Sequence, residues 1–276
     1  METFQCESSK WDFPIDRQNC WVGVDLGSRT GKAVMLYRDM LYAALTPTGI
    51  SANETGELLV GSLMKQSGVS RKQIRKMVGT GYGNVSLSLR DIPSDIMTEI
   101  SCHAKGAHCL LTTARTVIDI GGQDAKAISI DERNGNVLEF ILNDRCAAGT
   151  GRFLEKAAYL LEMPVERFSR ISLQADSPCE ISSQCVVFAE SEIISLKASG
   201  STAANIAAGV HIATARRIKN QTRRIQCFPD IFFSGGVSNN EGMKHAIESV
   251  LDKPVFSPEI NAVYTGALGA AIYAAQ

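Results

Sequence analysis

The chain has 276 residues, of which 45% are hydrophobic, enough to bury the core of one large domain or of two similar halves. Its 28 Lys and Arg residues against 29 Asp and Glu residues give a net charge of −1, which argues against a nucleic-acid-binding surface. Residues 1–20 form a polar N-terminal extension without the apolar segment of a secretory signal. No apolar run reaches the roughly 18–20 residues of a membrane span. We therefore expect a cytoplasmic protein that binds neither nucleic acid nor membrane.

The first element predicted after the extension is a β-hairpin. An apolar strand at 21–26 leads into the polar turn 27–31, and a second strand follows at 32–37. Gly79 to Gly83 is interpreted as a turn that follows a strand. Apolar spacing along the rest of the chain predicts helices at 53–68, 99–111, 149–163, 186–199, 202–224, 239–251 and 263–275, and a strand at 74–78.

The hairpin occurs a second time in the chain. Residues 117–128 repeat residues 23–34 in one register, with the shared order apolar-Asp-apolar-Gly and then Lys-Ala-apolar. Agreement at four residue types in the same register favours a duplicated fold over chance similarity. The prediction is an α/β protein with a first half at 21–100 and a second half at 101–276, and the second half carries both of the cysteine motifs described below.

Glycine turns of this kind bind phosphate oxygens through backbone amides. A third turn, Ser234 to Val237, follows another predicted strand. The aspartates at the ends of the two first strands are placed to hold Mg²⁺, and Gln123 and Asp124 are candidates to orient attacking water or the metal. The predicted catalytic residues are Asp25, Asp119, Gln123 and Asp124. The predicted nucleotide-binding residues are Ser28, Arg29, Thr30, Gly31, Lys32, Gly121, Gly122, Gln123, Gly235 and Gly236.

These three turns resemble known motifs. Residues 25–28, 119–122 and 234–237 are similar to the phosphate-1, phosphate-2 and adenosine motifs of the acetate and sugar kinase, Hsp70 and actin superfamily. The resemblance implies two duplicated ribonuclease-H-like domains of the actin-like ATPase type, with ATP in the cleft between them. No Walker sequence is present, so a P-loop fold is excluded.

Two of the eight cysteines, Cys146 and Cys185, each precede a predicted helix. One interpretation is that both are packing thiols in a reducing compartment, like most of the other six. The alternative is a shared metal site. Two thiolates cannot complete a four-coordinate site, whereas a symmetric dimer supplies four ligands on its two-fold axis. Helix N-termini aimed at that point would stabilise a negatively charged cluster.

The sequence around both cysteines resembles one family. It comprises the activators (component A) of 2-hydroxyacyl-CoA dehydratases and the ATPase subunits of benzoyl-CoA reductase. The segments that carry the resemblance are 143–154, 185–192, 118–126, 99–103 and 266–271. It implies a homodimer with one bridging [4Fe-4S] cluster, ligated by Cys146 and Cys185 of each subunit. Reduced by ferredoxin or flavodoxin, such a protein uses Mg²⁺ and ATP to deliver a low-potential electron to a partner iron–sulfur dehydratase or reductase.

Two other classes share the ATPase fold. A sugar or small-molecule kinase would need a catalytic base and no cluster, and a chaperone-like or sensor switch would have neither a cluster nor a phosphorylated product. Within the activator interpretation, the partner stays open between a 2-hydroxyacyl-CoA dehydratase, a benzoyl-CoA reductase and an enzyme with a double-cubane cluster.

Overall fold

The structure is a computed structural model that describes the backbone of residues 3–7 and residues 19–81, 87–89, 91–143, 149–182, 185–258 and 260–276. The chain divides into two compact units. The first unit contains residues 1–114, 130–137 and 258–276, and the second contains residues 115–129 and 138–257. The C-terminal helix, which the sequence analysis assigned to the second half, therefore belongs to the first unit. Among the described helices, none combines the length and the apolar character that crossing a membrane requires.

The described elements follow in chain order. The strands are β1 (Thr3–Glu7), β2 (Cys20–Leu26), β3 (Thr30–Tyr37), β4 (Met40–Pro47), β5 (Ile74–Gly81), β6 (Ser94–Ile96), β7 (Thr116–Ile120), β8 (Ala125–Ile130), β9 (Val137–Leu142), β10 (Ile231–Ser234) and β11 (Val255–Phe256). The helices are α1 (Ala52–Ser67), α2 (Glu99–Leu110), α3 (Gly151–Leu160), α4 (Val165–Ser172), α5 (Val186–Ala198), α6 (Ala203–Thr222), α7 (Glu241–Leu251) and α8 (Thr265–Ala275).

The first unit is built on a six-stranded sheet with the order β1-β4-β3-β2-β5-β6. Strands β2, β3 and β4 form an antiparallel meander, and β5 joins β2 in parallel. Strand β2 is buried along its whole length because helices cover its faces, which explains its continuous apolar sequence. At the start of helix α1, the Ser51 side chain accepts a hydrogen bond from the Glu54 amide. The helix ends at Gly68, which has the left-handed conformation. Part of the N-terminal extension, β1, pairs with the edge of this sheet.

The second unit repeats the plan with a five-stranded sheet of order β11-β10-β7-β8-β9. Strands β7 and β8 are antiparallel, and β10 lies parallel to both β7 and β11. Its core joins the sheet to helices α3 to α7 through buried side chains such as Ile118, Leu154, Phe168, Val210 and Phe233. The α/β class and the duplicated hairpin predicted from the sequence are confirmed.

The predicted helices are all present, with ends that differ by at most three residues. The predicted turn at Gly79 to Gly83 was wrong in its described part: Gly79 to Gly81 belong to β5, and the rest of that segment lies outside the described residues. Helix α4 and strands β1, β4, β6, β9 and β11 were not predicted. A signal for α4 existed, because Pro164 at its N-cap precedes apolar residues at helical spacing.

Candidate functional site

The hairpin of the first unit brings an aspartate and a lysine together. Asp25 near the end of β2 lies directly opposite Lys32 in β3, and the Lys32 Nζ is 3.2 Å from the Asp25 Oδ2. Both side chains are buried. The second carboxylate oxygen, Oδ1, is also buried and accepts no hydrogen bond from any described residue. A buried carboxylate oxygen without a hydrogen-bond donor fits the water shell of a bound Mg²⁺ ion.

The second unit repeats this pair in the same register. Asp119 in β7 lies opposite Lys126 in β8, and the Lys126 Nζ is 3.0 Å from the Asp119 Oδ2. Lys126 also contacts Asp124 Oδ2 at 2.9 Å. The Ser234 hydroxyl donates to the Asp119 Oδ1 at 3.1 Å. The repeated sequence thus encodes a repeated ion pair, and Lys126, whose side chain is 2% exposed, is a site residue absent from the sequence prediction.

The first predicted phosphate turn is short. Residues 27–29 connect β2 to β3, so that Thr30 and Gly31 are the first residues of β3. The Gly27 amide donates to the Thr30 carbonyl at 3.1 Å, and the Thr48 hydroxyl donates to the Gly27 carbonyl at 2.7 Å. Ser28 is half-buried and Arg29 is exposed. Hydrogen bonds to neighbouring backbone and side-chain groups therefore fix the conformation of this turn.

The second predicted phosphate turn is held by helix α3. The Gly151 and Arg152 amides at the start of α3 donate to the Gly121 and Gly122 carbonyls at 2.9 and 3.0 Å. The Gly121 amide donates to the Asp124 carbonyl at 2.9 Å. Within the described part of the chain, the amides of Gly122 and Gln123 donate no hydrogen bond. These two amides can therefore bind an anion without breaking an existing contact.

The third turn, which leaves β10, lies against the end of β7. Gly235 has φ +90°, and a Cβ atom at this position would clash with the Ile120 carbonyl oxygen and lie 2.5 Å from the Asp119 Oδ1. Only glycine permits this conformation together with this approach. The Val237 amide donates to the Ile120 carbonyl at 3.1 Å. Gly236 is exposed beside it.

A cavity of about 520 Å³ opens in the second unit next to these turns. Gly151 and Gly236 line the part of it that adjoins the turns. Residues of helix α4, among them Val165 and Ser169, and Asn240 at the start of α7 also line it. Its size and its mixture of apolar and polar walls suit a small molecule such as a nucleoside.

Asp25 also has a histidine neighbour in the first unit. A Cβ atom on Gly266 of α8 would lie 2.8 Å from the His103 Nε2 and 3.0 Å from the Asp25 Oδ2, so any larger residue would crowd both groups. The adjacent Cys102 is fully buried, and burial raises the pKa of its thiol to about 12. A protonated thiol of this kind is a packing group rather than a metal ligand.

Of the two cysteines predicted to bind metal, Cys146 lies outside the described residues. Cys185 is exposed and is the N-cap residue of α5. The helix that it opens exposes Val187, Phe188 and Ile194, which are 68%, 68% and 54% exposed. An apolar surface beside an exposed cysteine at a helix start is typical of a protein–protein interface rather than of a folded core.

Two units with matched Asp–Lys hairpins and glycine turns define an ATPase of the actin-like fold. A profile of the BadF/BadG/BcrA/BcrD ATPase family matches residues 22–274, and the chain belongs to this family. It is 42% identical over 255 residues to the activator of lactoyl-CoA dehydratase from Anaerotignum propionicum, covering 92% of this chain and 96% of that protein.

Two solved structures have the same fold. One is the activator of 2-hydroxyisocaproyl-CoA dehydratase from Clostridium difficile with bound ADPNP, with a TM-score of 0.85 at 37% identity and coverage of 93% and 94% of the two chains. The other is component A of (R)-2-hydroxyglutaryl-CoA dehydratase from Acidaminococcus fermentans, with a TM-score of 0.86 at 35% identity and coverage of 93% and 98%.

Proposed function

We propose that this protein is an ATP-dependent electron-transfer activator. It would deliver a low-potential electron to an iron–sulfur enzyme of the 2-hydroxyacyl-CoA dehydratase or benzoyl-CoA reductase type. Relatives that are named as dehydratase activators match nearly the whole chain, and this supports the role. The observation that carries the proposal is Cys185, an exposed thiol at a helix start beside an exposed apolar surface.

The nucleotide would bind at the glycine turns as MgATP. In each unit the hairpin aspartate, Asp25 or Asp119, is the residue that would hold the hydrated magnesium ion, and the buried Oδ1 of Asp25, which has no hydrogen-bond donor, supports this role for Asp25. The amides of Gly122 and Gln123 bind phosphate oxygens, and the Gln123 side chain orients the water that attacks the γ-phosphorus. ADP and inorganic phosphate are the products.

The remaining predicted contacts belong to the same proposal. The proposed phosphate-binding turn of the first unit comprises Ser28, Arg29, Thr30, Gly31 and Lys32. In the second unit, Gly121, Gly235 and Gly236 would contact the nucleotide, and Asp124, whose carboxylate lies 2.9 Å from the Lys126 Nζ, would orient the attacking water or the metal.

Cys146 and Cys185 of two subunits would ligate one [4Fe-4S] cluster, which supplies a single low-potential electron when bound. The start of α5 places helix amides and the positive end of its dipole beside the Cys185 sulfur, and this stabilises a negatively charged group. The exposed side chains of Val187, Phe188 and Ile194 would pack against the second subunit. Ferredoxin or flavodoxin would supply the electron.

ATP contributes through its different affinity for two states of the dimer, because a ligand shifts a conformational equilibrium only by that difference. We propose that the ATP-bound state is the one that reacts with the partner enzyme. Hydrolysis returns the dimer to its resting state and so makes the transfer unidirectional.

Anaerobic reconstitution with iron and sulfide tests the cluster assignment. We expect about four irons per wild-type dimer. The Cys185→Ser variant should lose that iron. It should remain folded, with a thermal unfolding midpoint equal to that of the wild type. Cys227→Ser, which removes a half-buried thiol of the same unit, is the matched control and should keep the iron. Full iron content in the Cys185→Ser variant would disprove the assignment.

A further inference from the structure

A buried polar cluster joins three helices behind the cavity of the second unit. His211 of α6 is 1% exposed, Ser169 of α4 is 5% exposed and Asn240 at the start of α7 is 9% exposed. The Gly242 amide donates to the Ser169 hydroxyl at 3.1 Å, and the His211 Nε2 lies 3.1 Å from the Asn240 Oδ1. Asn240 and Ser169 both line the cavity, so this cluster fixes the shape of one wall.

The oxygen of the Asn240 carboxamide is fully used. Asn240 is the N-cap of α7, and its Oδ1 accepts a hydrogen bond from the Met243 amide at 2.8 Å. The other contact of this oxygen is the His211 Nε2. The Met243 amide can only donate, so the oxygen must face it and the orientation of the carboxamide is determined. Among the described residues, nothing accepts a hydrogen bond from the Asn240 Nδ2. A nine-tenths buried side chain on a cavity wall thus keeps an unused NH₂ group.

His211 holds this orientation in place. Its ring stacks on Phe168 with centroids 5.0 Å apart, and burial lowers the pKa of the imidazole to about 4, so the ring is neutral at pH 7. Both ring nitrogens face an oxygen, because Nδ1 is 2.8 Å from the Ala207 carbonyl. The positioning role of His211 depends on the tautomer with the single N–H on Nε2, which donates to the Asn240 Oδ1.

We propose that Asn240 recognises the base of the bound nucleotide by donating a hydrogen bond from its Nδ2 to a ring nitrogen of adenine, with His211 as the positioning residue. This inference rests on the proposed function. With the phosphates at the Gly122 and Gln123 amides, the base lies towards the α4 and α7 end of the cavity. The ring nitrogens N1, N3 and N7 of adenine only accept hydrogen bonds, which matches the Asn240 Nδ2 because this group only donates.

The first test uses the dimer in calorimetric titrations with MgATP. Asn240→Asp keeps an equally good N-cap for α7 but replaces the NH₂ group by oxygen, and Asn240→Ser keeps a cap without adding charge. Losing one hydrogen bond and leaving an acceptor unpaired should weaken MgATP binding about 10- to 100-fold in both variants, with an unchanged thermal midpoint. Wild-type affinity in both variants would overturn the inference.

Deaza analogues of ATP identify the atom. Three analogues each lack one ring nitrogen: 1-deaza-ATP, 3-deaza-ATP and 7-deaza-ATP. We expect one of them to bind the wild-type protein about 10- to 100-fold more weakly than ATP does. The Asn240→Ser variant should bind that analogue and ATP with equal affinity. The His211→Phe variant should lose part of this discrimination, and His211→Gln, which restores a donor, should regain it. Equal binding of all four nucleotides to wild type would refute base recognition by Asn240. Failure of wild type to bind MgATP would instead refute the proposed function itself.

Discussion

Replacing Lys126 with methionine leaves the most deeply buried carboxylate of the site without its cation. The Lys126 Nζ lies 3.0 Å from Asp119 and 2.9 Å from Asp124, and the side chains of Lys126 and Asp119 are each 2% exposed. Coulomb attraction at 3 Å with an effective dielectric constant of about 20 is about 5 kcal/mol for each pair, before the desolvation cost. Removal of one partner of a buried ion pair costs about 3–5 kcal/mol.

We therefore expect Lys126→Met to lower the free energy of unfolding by about 3–5 kcal/mol, measured by urea denaturation. The thermal midpoint should fall by about 6–10 °C. Lys197→Met is the matched control, because Lys197 forms an exposed ion pair with Glu162, and we expect no resolvable change. Adding Asp119→Asn to Lys126→Met should recover part of the loss. Equal midpoints for the Lys126 and Lys197 variants would refute the account of the buried pair.

Three further predictions concern protonation, assembly and thiol reactivity. Because burial lowers the pKa of His211 to about 4 in the folded state, the unfolded chain takes up the proton first as the pH falls. Stability should therefore decrease by up to about 3 kcal/mol between about pH 6.5 and 4 in urea titrations, and His211→Phe should remove this part of the decrease. Phe188→Glu places a charge on the exposed face of α5 and should give a folded monomer in light scattering without bound iron, whereas an iron-loaded dimer would contradict the proposed interface. In native apoprotein, mass spectrometry should find Cys185 alkylated by iodoacetamide within minutes and Cys102 unmodified, since burial raises the pKa of the Cys102 thiol to about 12; rapid labelling of Cys102 would contradict its burial.

The hairpins were predictable because their geometry is local. Residues on two strands joined by a short turn face one another at a register that the turn length determines. The repeated Asp and Lys positions of the sequence therefore became opposite residues in both units, Asp25 with Lys32 and Asp119 with Lys126. The sequence did not indicate that these lysines would be buried against aspartates, since a lysine beside a glycine turn is equally suited to a phosphate.

The cavity and its wall could not be predicted in this way. His211 and Asn240 are 29 residues apart and meet only because α6 packs on α7. Helix α8 is a second case, since it follows the second unit in the sequence but packs on β2 and α2 of the first. Such contacts depend on which faces of the elements meet, and periodicity identifies a face without identifying its partner.

Anaerobic stopped-flow spectroscopy of the reduced, iron-loaded dimer mixed with an oxidised dehydratase component tests the central claim most directly. We predict that MgATP triggers oxidation of the dimer by one electron, and that neither MgADP nor a buffer without nucleotide does so. The Asn240→Ser variant should need a higher ATP concentration for the same rate. Oxidation at an equal rate without nucleotide, or none with MgATP, would contradict ATP-dependent electron transfer.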